Sequence, residues 1–194
     1  NAPLLSPEKE LSPEREERML SDLKNLLSGY PIQYYIGTEI FCSEEFFVAE
    51  NVLIPRPETE LLVEIAINKA EKNSTVFDFC CGSGCIGLSL LKKREDLFAY
   101  LYDLSDSALS LTEKNREKLD LSKRAVVKKL DILSPVAKEE ILRCPPSLIL
   151  SNPPYLTGEE MEKIDENVKK VFDLQEANIT RVLKDISSTI TLNS

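Results

Sequence analysis

The chain has 194 residues, 42% of them hydrophobic and 29% charged, which is enough to bury one good core and too apolar for a disordered segment. A net charge of −9 and a pI near 4.8 disfavour a broad nucleic-acid surface, which needs a basic footprint, and suit a protein partner better. No apolar run approaches the length of a transmembrane helix, and the complete lack of histidine excludes Ser-His-Asp, Cys-His and His-metal chemistry.

Residues Ser12 to Leu27 predict an amphipathic helix. Ser12 is its N-cap and Pro13 its first turn; Met19, Leu20, Leu23, Leu26 and Leu27 form the stripe, and Gly29 is the stop. Phe41 and the run Phe46-Phe47-Val48 to Val52-Leu53-Ile54 predict a small β-hairpin. Pro57 then opens a helix containing Leu61, Leu62, Ile65 and Ala66, with Arg56 and Glu58 as an exposed pair or a structural wall.

Thr75-Val76-Phe77-Asp78-Phe79 reads as a buried strand that breaks into a glycine turn, Cys80 to Gly84, followed by a helix carrying Leu88, Leu90 and Leu91. Gly82 and Gly84 let the backbone approach a ligand closely, and the helix start offers N–H groups to an anionic end. Such a turn is shared with NAD-binding folds. Phe98 to Asp103 is a second apolar run ending in an acid, 103 − 78 = 25 positions after Asp78. That is near the roughly 20-residue offset at which an acid meets a ribose hydroxyl in doubly wound nucleotide folds.

Ala125-Val126-Val127 through Leu130-Asp131-Ile132 repeats the pattern, and Asp131 falls at a strand end within reach of an adenine amino group. Taken singly, Asp103 and Asp131 read as solvated strand-end acids, and Lys123, Arg124, Lys128 and Lys129 as a solvated face. As an ordered set with Asp78, the acids describe one crevice at the carboxyl edge of a parallel sheet and favour a nucleoside ligand.

The apolar run Leu148-Ile149-Leu150 leads into Ser151-Asn152-Pro153-Pro154-Tyr155. An asparagine amide, carbonyls held in a fixed direction by prolines and an aromatic face form a cradle for a planar NH₂ group. The Asn152 side-chain oxygen and the Pro153 carbonyl would each accept one N–H, with Tyr155 packed on the plane, so that a poorly nucleophilic nitrogen is presented to an electrophile. The motif alone also reads as a Pro-Pro turn closing a strand. Further on, Thr157 and Glu160 predict a capping box for a helix through Ile164.

These residues resemble the class I S-adenosylmethionine-dependent methyltransferases, and more closely the release-factor glutamine methyltransferases of the PrmC/HemK type. The resemblance runs from about Leu20 to Tyr155. It is carried by Pro31 to Gly37, Phe47, Val52 to Glu60, the Asp78 to Gly87 turn, Asp103 with Ser105, Asn115, and Asn152 to Tyr155. Pro-Arg-Pro-Glu-Thr-Glu is specific to that subfamily, whereas Asn-Pro-Pro-Tyr is shared with adenine amino-methyltransferases.

The resemblance implies an α/β, Rossmann-like fold with a mostly parallel sheet and a closing antiparallel hairpin, preceded by a remnant N-terminal helical segment. Residues 1–29 would end a helical domain that docks the release factor, 30–56 would be a β-hairpin linker and 57–194 the catalytic domain. S-adenosyl-L-methionine would be bound by Asp78, Cys80, Gly82, Gly84, Asp103 on the ribose, Asp131 near the adenine, and Asn152, leaving S-adenosyl-L-homocysteine as product. Asn152, Pro153, Pro154 and Tyr155 would be catalytic. The methyl would pass by in-line displacement to the amide nitrogen of the glutamine in the Gly-Gly-Gln motif of a peptide-chain release factor, with no strong base.

The implied enzyme is a cytoplasmic monomer with no metal, no direct nucleic-acid contact and no membrane contact. Cys80 and Cys81 stand where the family has glycine and threonine, and they read as packing residues. The alternative is a redox or metal role with Cys85, but adjacent cysteines do not pair easily and no second pair completes a zinc site. Five scattered cysteines without a secretory segment read as reduced.

Beyond Tyr155 the sequence departs from the family. The tail from Ile179 to Leu192 resembles the last helix and closing strands, with chain expected to be omitted near Asp165 to Asn167 and before Asn1. Unbroken geometry there would mean a naturally shortened sheet. Two other functions remain open: an adenine amino-methyltransferase on DNA or RNA, and a non-catalytic nucleotide-binding or interaction domain.

Overall fold

The computed structural model describes residues 12–132 and 134–152. The helix expected from Thr157, the closing antiparallel strands and the break expected near 165–167 lie outside the described residues.

Helix α1, Pro13–Leu27, begins where the capping signal predicts, with Ser12 Oγ accepting the Arg15 N–H at 3.4 Å. Gly29 stops it at φ +94°. None of its residues is buried, so the stripe of Met19, Leu20, Leu23 and Leu27 lies exposed. A short helix, α2 (Ile32–Ile36), ends at Gly37 in the left-handed conformation and hands the chain to a hairpin, β1 (Thr38–Phe41) with β2 (Glu44–Phe47).

The strands of that hairpin flank Cys42-Ser43 and do not extend to Val52–Ile54 as the sequence predicts. Cys42 and Ser43 both take positive φ, 51° and 69°, as a type I′ turn requires. Asn-Gly would have announced that turn; Cys-Ser does not, and here the Glu60 carboxylate helps to hold it by accepting the Cys42 N–H at 2.7 Å. Val52 and Ile54 are buried in irregular chain instead, Val52 against Ala108 and Leu111.

A 3₁₀ turn, Pro57–Thr59, leads into α3 (Glu60–Lys69) as the proline predicts. The remaining described strands are β3 (Thr75–Phe79), β4 (Phe98–Asp103), β5 (Ala125–Lys129) and β6 (Leu148–Ser151). They form one parallel sheet in the order β5-β4-β3-β6. Three further helices, α4 (Cys85–Lys93), α5 (Asp106–Lys118) and α6 (Pro135–Arg143), connect them.

Both faces of the sheet are covered, which is why its strands read as near-continuous apolar runs. Val76, Ala99, Leu101, Ala125 and Leu150 pack with α3 and α4. The alternate residues Phe77, Phe79 and Tyr102 pack with Leu130 and Ala137 on the α6 side. Among the described residues no helix is long and apolar enough to cross a membrane.

Helix α4 lies so close to the sheet that only glycine fits at Gly87. A Cβ there would stand 2.9 Å from Asp78 Oδ2 and 3.1 Å from Leu101 Cδ2. Gly87→Ala is therefore expected to destabilise the protein by about 1–3 kcal/mol through overpacking, read from denaturant unfolding. Unchanged stability would contradict this contact between helix and strand.

Candidate functional site

The strand order reverses between β3, which runs on through α4 to β4, and β6 on its other side. In open α/β sheets the crevice at the carboxyl ends beside such a reversal is where ligands bind. Cys80 and the glycine turn follow β3, Asp103 ends β4 and Asn152 follows β6, so the fold brings these residues to one edge.

The glycine turn is held from several directions. Cys81 N–H donates to the Tyr102 carbonyl at 3.0 Å, and Gly84 N–H to the Cys81 carbonyl at 2.8 Å. Gly82 N–H donates to Asp103 Oδ2 at 2.9 Å, while the Thr112 hydroxyl donates to the Gly82 carbonyl at 2.8 Å. Gly84, at φ +78°, has no room for a side chain: a Cβ would meet Thr112 Cγ2 at 2.8 Å.

Asn115, on α5 and fully buried, completes the frame. Its Nδ2 donates to the Ser83 carbonyl at 2.9 Å and the Phe47 carbonyl at 3.1 Å, and its Oδ1 accepts the Phe47 N–H at 2.7 Å. One carboxamide thus ties the hairpin, the glycine turn and α5 together.

The three acids do not share one environment. Asp103 is buried at the strand end, with Oδ2 on Gly82 N–H and Oδ1 accepting the Ser105 N–H at 2.9 Å, so it joins the turn to the head of α5. Asp131 lies exposed beyond the end of β5, its carbonyl accepting the Ser134 N–H at 3.0 Å. Asp78 is not on the open edge. Its carboxylate is turned beneath the turn with no exposure, Oδ2 accepting the Gly87 N–H at 2.9 Å and Oδ1 without a partner among the described residues.

Burial pushes the Asp78 carboxyl up to about 7, the Gly87 N–H opposing the rise and the Asp103 charge reinforcing it.

Asn152 is half-buried, and its Nδ2 donates to the Thr59 hydroxyl at 3.5 Å. Pro153, Pro154 and Tyr155 lie outside the described residues. Cys80 takes φ +57°, the left-handed region, at the position where a glycine would be unstrained. Burial pushes its thiol up to about 12, with the Asp103 and Asp78 charges adding and Ser151 opposing. The Cys85 thiol is likewise raised to about 12, and that of Cys81 well above its ordinary value. At neutral pH all three are therefore thiols, and all five cysteines are free.

Sequence reasoning counted Asn115 and the stretch holding Thr59 among the residues that carry the resemblance but gave neither a contact, and it did not single out Thr112. Thr112 and Asn115 stand at i+4 and i+7 from Ala108 with Leu111 at i+3, polar groups on the buried stripe of α5, which is the signal that marks them. Thr59 carries no such signal, because its partner is 93 positions away.

Two outcomes follow from this geometry. Between about pH 4 and about pH 7 the unfolded chain releases the Asp78 proton while the folded chain keeps it, so this acid's contribution to stability falls as pH rises through that window. Asp78→Asn should remove that slope, and urea unfolding should show the variant gaining on the wild type from about pH 4 to about pH 7. A constant difference would contradict the buried acid. Cys80→Gly should relieve the left-handed strain and raise stability by about 1 kcal/mol, measured the same way, whereas a loss would mean that the cysteine's packing outweighs it.

Comparison with known proteins agrees with this architecture. The release factor glutamine methyltransferase of Enterococcus faecalis is 38% identical over 168 residues, covering 86% of this chain and 58% of the relative. That of Clostridium botulinum is 32% identical over 169 residues, covering 86% and 59%. The chain thus spans less than two thirds of the length of these curated relatives. A solved precorrin 8W decarboxylase from Methanobacterium thermoautotrophicum overlaps 67% of this chain and 63% of its own at 20% identity and a TM-score of 0.45, too loose a likeness to bear on the reaction. The profile of the methyltransferase small domain family matches residues 55–174, and the chain belongs to that family.

Proposed function

We propose that this chain transfers a methyl group from S-adenosyl-L-methionine to the side-chain amide nitrogen of the glutamine in the Gly-Gly-Gln motif of a peptide-chain release factor, leaving S-adenosyl-L-homocysteine. The observation that carries the reading is the position of Asn152. It follows β6 beside the glycine turn, in a chain whose curated relatives bear the name release factor glutamine methyltransferase.

The residues at this edge fit such a donor. Gly82, at φ +59°, faces open space except for Val52 Cγ1, which a Cβ would meet at 3.7 Å, so a ligand can lie close to the backbone. The Asp103 carboxylate spends one lone pair of each oxygen on backbone N–H groups and keeps others for ribose hydroxyls. Asp131 would lie toward the adenine, and Cys80, Gly82 and Gly84 along the floor. Asp78 would act from beneath, holding the head of α4 through Gly87, and a cationic ligand above it would favour its ionised form.

When bound, the donor supplies an electrophilic methyl group, and the protein's own work is placement. Asn152 Oδ1 would accept one N–H of the substrate carboxamide and the Pro153 carbonyl the other, with Tyr155 on its plane. The nitrogen sheds its proton to water or a nearby acceptor once methylated, so no strong base is needed. Residues 1–29 and the hairpin segment 30–56 would serve the partner and the wall of the pocket, and 57–194 the chemistry.

Incubation with labelled methyl donor and either a release factor or nucleic acid, followed by mass spectrometry of release-factor peptides, tests this reading directly. Label on the Gly-Gly-Gln glutamine is expected, and label on nucleic acid alone would overturn it. Asn152→Ala should abolish transfer and leave calorimetric affinity for S-adenosyl-L-homocysteine nearly unchanged. Full turnover by that variant would remove Asn152 from the reaction.

A further inference from the structure

We infer that Thr59 is a positioning residue for Asn152, its hydroxyl holding the asparagine amide so that the side-chain oxygen is turned toward the substrate. The inference rests on the reading of Asn152 as the substrate's acceptor and gives a role to a residue in a stretch that otherwise reads as wall. Asn152 Nδ2 donates to Thr59 Oγ1 at 3.5 Å, across 93 positions of chain. In a planar carboxamide the oxygen and nitrogen diverge from the same carbon, so with the nitrogen on the Thr59 hydroxyl the oxygen lies on the other side. Without an anchor the group is free to rotate and to present N–H donors where an acceptor is required.

The anchor is itself well fixed. Thr59 N–H donates to the Arg56 carbonyl at 2.9 Å, closing a turn that contains Pro57 and follows the buried Pro55. The next residue, Glu60, accepts the Cys42 N–H at 2.7 Å and so ties the turn to the hairpin. Threonine is β-branched and stiff at χ1, which limits where its hydroxyl can go. The 3.5 Å separation is at the long end for a hydrogen bond. Proline at 55 and 57 and threonine at 59 thus form one device, rigid chain delivering one hydroxyl to the strand end opposite.

Thr59→Val keeps the shape and removes the hydroxyl, while Thr59→Ser keeps the hydroxyl. With a release factor as substrate, Thr59→Val is expected to lower kcat at least about tenfold while leaving KM for S-adenosyl-L-methionine and the melting temperature near wild type, and Thr59→Ser to stay within about twofold. A Thr59→Val enzyme with wild-type kcat, or a Thr59→Ser enzyme as slow as Thr59→Val, would overturn the inference.

A second readout does not depend on turnover. The Asn152 side-chain amide resonance, assigned by its loss in Asn152→Ala, should move in Thr59→Val and stay in place in Thr59→Ser. An amide signal indifferent to the Thr59→Val change would also overturn the inference. If the wild type methylates no release factor while that signal still follows the hydroxyl, the positioning contact stands and the proposed reaction is what fails.

Discussion

The architecture of the edge depends on one buried carboxamide. Asn115 spends both of its polar atoms on backbone groups from two distant segments, Phe47 in the hairpin and Ser83 in the glycine turn. Phe47 offers these groups from the outer edge of β2 and Ser83 offers its carbonyl from the glycine turn, and Asn115 is the partner of each. A buried group of this kind left alone costs on the order of 1–3 kcal/mol, so the lock on the Ser83 carbonyl favours building a turn this tight beside a hairpin. Thr112, three positions earlier on the same helix, holds the Gly82 carbonyl and fills the space that a side chain at Gly84 would need. The helix that frames the turn therefore also dictates its glycines.

Electrostatics at the edge are set by concentration of acid rather than by any base. Asp103 lies close enough for its charge to raise the pKa of Asp78, and the two acids engage backbone N–H groups of the first turn of α4, for Asp78, and of the glycine turn, for Asp103. Such a pair costs stability at neutral pH, and a cationic ligand above the turn would offset part of that cost. Beside β6 the groups are a neutral amide and a hydroxyl, Asn152 and Thr59, which do not titrate and on the proposed reading would orient the substrate. The two halves of the crevice thus divide the labour between charge and geometry.

Much of this was legible in the sequence where the signal was local. The capped helix at Ser12, the helix opened by Pro57, the strand over Phe98 to Asp103 and the glycine turn all stand where spacing and punctuation predict. Two differences between the sequence reading and the structure have separate causes. The hairpin slipped because Cys42 and Ser43 adopt a conformation that their side chains do not favour, and tertiary contact from Glu60 holds it there. Asp78 was grouped with the strand-end acids because position near a strand end was weighed without the alternation of faces along the strand. The alternation that sends Phe77 and Phe79 to the α6 side sends Asp78 to the α4 side. The contact of Thr59 with Asn152 was illegible for a plainer reason: it joins residues that only the finished sheet makes neighbours.

The lock at Asn115 has a consequence for how occupancy is felt at a distance. Because the same side chain holds the hairpin and the floor of the crevice, a ligand that quiets the floor must also quiet Phe47, whose amide hydrogen is bonded to that side chain instead of to a strand. Protection of this single amide from solvent exchange would then act as a gauge of the whole rim, rising when the crevice fills although nothing touches the hairpin itself.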